Sequence, residues 1–161
     1  MKPYIEYNNK KYEFEANFTM KKEYEKEIQN RYNEMYKNGK ITKDNLTDIE
    51  ELNNFFKKYG NDITEDVIKN NPEIREKLFR NKELIDNIYI SDINEKFCFR
   101  MLKEKYGINE ETWESMNEEY YEEYCNNISE LEMLYSMICD KVFTQSEKKE
   151  TPKKKPIWEN W

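Results

Sequence analysis

The chain has 161 residues, of which 37% are apolar, 38% charged and 15% aromatic, with 13 Tyr, 3 Gly, 4 Pro and no His. That length suits one domain with a core of its own, and the shortage of Gly and Pro disfavours turn-rich all-β folds and favours long helices. The lack of His removes the commonest general base and most zinc sites, and a net charge of −7 opposes direct binding to nucleic-acid phosphates.

The first predicted element is a hairpin over residues 4–18, where Tyr4-Ile5-Glu6-Tyr7 and the run from Tyr12 to Phe18 flank Asn8-Asn9-Lys10-Lys11. Tyr12, Phe14, Ala16 and Phe18 fall on one face and Glu13, Glu15 and Asn17 on the other, the period-two pattern of a sheet with one wet face. Two strands alone are marginal in water, so the apolar face must pack on a helix or extend another chain's sheet.

From Met20 the period lengthens. Met20, Tyr24, Ile28, Tyr32, Met35 and Tyr36 recur every three or four residues until Gly39 stops the helix. A second stripe of Leu46, Ile49, Leu52, Phe55, Phe56 and Tyr59 runs to Gly60. A short segment around Val67 and Ile68 follows, and Asn71 with Pro72 restarts a helix through Ile74, Leu78 and Phe79. Leu84, Ile85 and Ile88 keep the helical period. Ile93, Phe97, Met101 and Leu102 then lead through Tyr106 to Gly107, and Asn109 caps a segment whose first turn holds Glu110 and Glu111.

Trp113, Met116, Tyr120 and Tyr124 line that segment, and Ile128, Leu131, Leu134, Tyr135, Ile138 and Val142 line the last helix, whose apolar face Met133, Met137 and Cys139 widen. Phe97, Leu131 and Ile138 stand out as core residues. The fold class expected is α+β and predominantly helical: one domain over residues 1–143, made of a hairpin at 4–18 and a bundle of five to seven helices at 19–143. Residues 144–161 have no helical stripe and read as a flexible, disordered basic tail. They hold five Lys and three Glu, so the whole-chain charge of −7 divides into +2 there and −9 in the body. No apolar run approaches the ~20 residues that span a bilayer, and no leader segment is visible, so the expectation is a cytoplasmic protein that does not engage a membrane.

Few constellations carry chemistry. Cys98, Cys125 and Cys139 have unrelated spacings and read as reduced core thiols. Without His, three scattered Cys cannot complete a zinc site, and no glycine-rich phosphate loop occurs. Neither a catalytic residue, a metal nor a cofactor is expected. The run Glu118-Glu119-Tyr120-Tyr121-Glu122-Glu123-Tyr124 reads as a solvated helix face with Tyr120 and Tyr124 turned inward, with DNA mimicry as the competing reading. Trp158 and Trp161, beyond a Lys-rich, Pro-bracketed spacer, suggest a tethered binding motif. The expected partner-binding residues are therefore Tyr12 and Phe14 on the hairpin, Met133 and Met137 on the last helix, and Trp158 and Trp161.

The order of a hairpin from Ile5 to Phe18, a Lys/Glu-rich helix, a small acidic helical body and a basic tail resembles the tail assembly chaperones of long-tailed phages of Gram-positive bacteria. The resemblance covers the hairpin and first helix best and is one of layout. It implies a non-catalytic protein that binds the tape measure protein and tail tube subunits during tail assembly in the host cell cytoplasm, and a longer product made by frameshifting near Lys153-Lys154-Lys155. Self-association into a homo-oligomer is compatible with the same surfaces. Small size, negative charge and the lack of a catalytic signature fit a rival class equally: a phage-encoded acidic inhibitor of a host nuclease or defence system, of the anti-CRISPR or DNA-mimic type.

Overall fold

A computed structural model describes residues 2–145. An N-terminal two-stranded hairpin precedes a mostly helical chain, in which eight α-helices form among the described residues, six of them nine residues or longer. The backbone divides into two compact units. Among the described residues, one joins 2–25 to 91–145, and the other comprises Lys26–Ile90. The expectations for residues 146–161, Trp158 and Trp161 included, lie outside the described residues.

In the first unit β1 (Tyr4–Tyr7) and β2 (Lys10–Glu13) pair antiparallel, with Ile5 opposite Tyr12 and Tyr7 opposite Lys10. Asn8 and Asn9 both hold positive φ, 52° and 61°. A type I′ hairpin turn needs that conformation at both central positions, and Asn tolerates it better than most residues. The strand is shorter than its alternation suggests. Asn17 caps the following helix by accepting a 2.8 Å hydrogen bond from the Met20 amide, so Phe18 becomes the first residue of α1 (Phe18–Lys37) and is 70% exposed instead of lining the hairpin's apolar face.

The core of this unit lies where α6 (Ser91–Tyr106) meets α8 (Ile128–Cys139). Ile93, Phe97, Cys98, Met101 and Leu102 from α6 are buried against Leu131, Tyr135, Ile138 and Cys139 from α8. The three expected core residues Phe97, Leu131 and Ile138 are all buried. Between these helices runs α7 (Glu110–Tyr124), started as expected by Asn109, whose side chain accepts from the Thr112 amide at 2.8 Å. A π-helical turn, Asp140–Gln145, follows α8 and brings Phe143 flat against Tyr24 of α1, with ring centres 4.2 Å apart.

Polar groups inside this unit are matched. The Tyr24 hydroxyl donates to Asn94 Oδ1 at 2.6 Å, and the Tyr135 hydroxyl donates to Asn117. Tyr106 ties the hairpin to α6 because its hydroxyl accepts from the Glu13 amide at 2.8 Å. Among the described residues every buried side-chain nitrogen and oxygen has a partner, which matters because an unmade buried hydrogen bond costs ~1–3 kcal/mol.

The second unit is built differently. It holds the later turns of α1, then α2 (Lys43–Tyr59), α3 (Glu65–Lys69), α4 (Pro72–Arg80) and α5 (Lys82–Ile85). Thr42 and Asn45 form a reciprocal capping box at the start of α2, and Gly60 closes it with φ of 53°. Its buried apolar side chains are few: Ile41, Leu52, Ile74 and Ile90. In their midst sit Asp48, Lys77 and Asn81, all buried. Asp48 accepts both forks of Arg80, at 2.6 and 2.7 Å, and the Asn81 amide at 2.8 Å. Asn45 donates to Asn81 at 2.7 Å, and Lys77 bridges Glu51 and Glu73. This network pins α2 to α4.

That buried polar face corrects the stripes read from the sequence. The inward side of α2 runs through Asp48 and Leu52, so Leu46, two residues before Asp48 and nearly opposite it on the helix, is half exposed. Phe79, five residues after buried Ile74, points away from it and is 81% exposed. Tyr36, Ile85 and Ile88 are also exposed although they continue an apolar period.

Candidate partner-binding surfaces

The half-exposed apolar residues of the second unit are not scattered. Tyr32 and Tyr36 of α1, Leu46 and Phe56 of α2, and Leu84 and Ile85 of α5 line an open cavity of about 620 Å³. Its floor includes the buried Ile41 and Leu52. No charged side chain lines it; its polar groups are the tyrosines and the carboxamides of Asn33, Asn53 and Asn87. Burial raises the Tyr32 hydroxyl pKa above its ordinary value, so that group stays a neutral donor and acceptor. A cavity of this size and lining accepts apolar matter with little electrostatic selection.

The groove exists because the local sequence interrupts its own helices. Pro72 and the break at Asn81 cut the segment after α3 into a nine-residue helix and a four-residue helix. The short α5 presents Leu84 and Ile85 without covering Leu46 or Tyr36. The sequence contained the signal, since Leu46, Ile49, Leu52 and Phe56 form one stripe. Missing was the buried Asp48, which turns α2 so that part of this stripe faces outward.

A smaller apolar patch lies in the first unit. Met133 and Met137, one turn apart on α8, are 64% and 49% exposed on the side opposite the buried Leu131 and Ile138. Of the expected binding residues these two are open to solvent. Tyr12 is half-buried, edge-on to Tyr106 at 4.9 Å with the Lys10 ammonium 5.0 Å from its ring. Phe14 is 1% exposed: it serves the core of its own unit and presents no ring to a partner. The structure thus brings Met133 and Met137 together at the surface and encloses Phe14.

On α7 the carboxylates Glu118, Glu119, Glu122 and Glu123 are all exposed and share one side of the helix. Tyr124 does not turn inward as the spacing suggests; it is 63% exposed and leans on Tyr120, ring centres 4.9 Å apart. Among the described residues no group of three or more His, Cys, Asp or Glu could hold a metal ion, and no helix is long and apolar enough to cross a membrane. Set beside known proteins, the chain matches no family model, no curated protein and no solved structure.

Proposed function

We propose that this chain is a non-catalytic binding protein that shields the apolar face of a helical segment of a protein partner, in the manner of a tail assembly chaperone holding the tape measure protein. The observation that carries the reading is the uncharged groove of the second unit, whose walls leave Tyr36, Leu46 and Ile85 between 40% and 50% exposed. Helix-in-groove recognition uses this chemistry: an amphipathic helix lays side chains at i, i+3, i+4 and i+7 into an apolar channel. The Met133–Met137 patch adds a second, adaptable contact, since methionine thioethers repack around varied partners.

Co-expression tests the reading. A tape measure fragment that is insoluble alone should stay in solution when the chain is present. Leu46→Glu should abolish that effect by placing a carboxylate in the groove, and because Leu46 is half exposed the fold should lose no more than ~0.5 kcal/mol. The double change Met133→Glu with Met137→Glu should weaken the effect less. An undiminished Leu46→Glu variant would reject the groove as the binding site.

A second reading rests on the four exposed carboxylates of α7, which suit an acidic inhibitor that occupies the DNA-binding surface of a host nuclease. In that case the chain would compete with DNA for the nuclease. Neutralising Glu118, Glu119, Glu122 and Glu123 to Gln would relieve inhibition, and Leu46→Glu would leave it intact.

A further inference from the structure

The first unit holds a pair of thiols that partner binding does not use. Cys98 of α6 and Cys139 of α8 lie 41 residues apart in the chain, yet their sulfurs are 3.8 Å apart, and both side chains are 0% exposed. Each is also held by a backbone carbonyl of the opposite helix: Cys139 donates to the Asn94 oxygen at 3.4 Å and Cys98 to the Tyr135 oxygen at 3.8 Å. The two thiols therefore face each other across the α6–α8 contact, with no side chain needed to relay between them.

We infer that Cys98 and Cys139 are an oxidative cross-linking site, at which a two-electron thiol oxidant closes a disulfide that staples α8 to α6. With hydrogen peroxide as oxidant, one thiol is first converted to a sulfenic acid with release of water. The second sulfur then attacks that sulfur, the S–O bond breaks, and a second water leaves. The two thiols together lose two hydrogens and two electrons, and the peroxide O–O bond is the electron acceptor. Closure requires the sulfurs to approach from 3.8 Å to ~2.05 Å.

Burial sets the kinetics. It pushes the Cys98 thiol well above its usual range, and the neighbouring Cys139 adds to that effect, so almost no thiolate exists in the closed fold. Reaction waits for openings in which α8 lifts from α6, and the product then forbids those openings. The cross-link is a one-way latch until a reductant acts. Cys125, half-buried just after α7 and bonded to neither, supplies an internal control.

Diamide is the test oxidant, because its N=N bond takes up both hydrogens and it spares the methionines. The full chain, warmed to just below its melting point with diamide, should lose about 2 Da, the mass of two hydrogens. Peptide mapping should join Cys98 to Cys139. The melting midpoint should then rise by roughly 10 °C and return to its starting value with dithiothreitol, as expected for closing a loop of this length in a domain of this size. Cys125→Ser should behave identically, whereas Cys98→Ser and Cys139→Ser should show neither the mass loss nor the rise. Wild type that stays reduced under these conditions, or a disulfide that maps to Cys125 instead, would overturn the assignment.

Discussion

Replacing Phe97 with alanine should lower the unfolding free energy by about 3–5 kcal/mol, the range for emptying a phenylalanine-sized volume in a closed core. The ring is 0% exposed and lies edge-on to Tyr24 at 5.2 Å and to Phe143 at 5.8 Å. Three rings from α1, α6 and the turn after α8 thus close on one another, and each such aromatic pair adds ~0.5–1.5 kcal/mol beyond the area it buries. Because the cluster joins segments far apart in the chain, the loss falls on the cooperative transition of the whole first unit. Urea denaturation reads it directly, with Phe97→Leu retaining most of the stability. A loss below ~1 kcal/mol for the alanine variant would mean that the core can collapse into the space, contrary to the close ring contacts.

Asp48 governs the second unit in a different currency. Hydrogen bonds from Arg80, then from Asn81, hold its carboxyl down to about 2 from an ordinary 3.8. A carboxyl with a depressed folded pKa contributes stability that is complete above its unfolded pKa and vanishes as pH falls through the folded one. The second unit should therefore lose stability on acidification between about 3.8 and about 2. Asp48→Asn keeps the shape but removes the charge, and should cost about 2–3 kcal/mol at neutral pH, the worth of charge-assisted hydrogen bonds to a buried acceptor. Across the acid window the variant's denaturation midpoint should fall less steeply than that of wild type, the remaining slope coming from Glu73, whose bond to Lys77 also lowers its pKa. Parallel slopes in the two proteins would place the acid sensitivity on another group.

How much of this was legible in the sequence differs between the two units, for physical reasons. In the first, burial follows periodicity in the middle of the helices, as at Phe97, Leu131 and Ile138, and fails at their ends, where Tyr124 and Ile128 are exposed; Asn109 announces its cap by local chemistry that tertiary structure does not override. In the second, three polar residues, Asp48, Lys77 and Asn81, occupy inward positions that apolar counting assigns to Leu46, Phe79 and Ile85. Burial of a charge is decided by whether its partner arrives from a distant segment, as Arg80 does 32 residues away, and a one-dimensional pattern does not carry that.

The hairpin shows a related limit. Alternation over Tyr12 to Phe18 is real, but Asn17 caps a helix, and the cap ends the strand early. Met133 and Met137 were legible as a widened apolar face of α8, and they remain exposed because Leu131, Tyr135 and Ile138 already fill the opposite side. Phe14 carries the same aromatic signal as Tyr12, and only the three-dimensional arrangement shows that one ring is enclosed and the other partly open. The groove itself depends on where α4 and α5 break, a feature written in Pro72 and Asn81 but meaningful only once α2 is oriented.

We propose that the uncharged groove of the second unit takes up an apolar helix face. Amide hydrogen exchange of the full chain tests it most directly, with and without an amphipathic peptide of about 18 residues carrying leucines at i, i+3, i+4 and i+7. The peptide should slow exchange in α2 and in the segment 82–90, and Leu46→Glu should erase that protection. Protection confined to the Glu118–Tyr124 side of α7, or none anywhere in residues 26–90, would contradict the account.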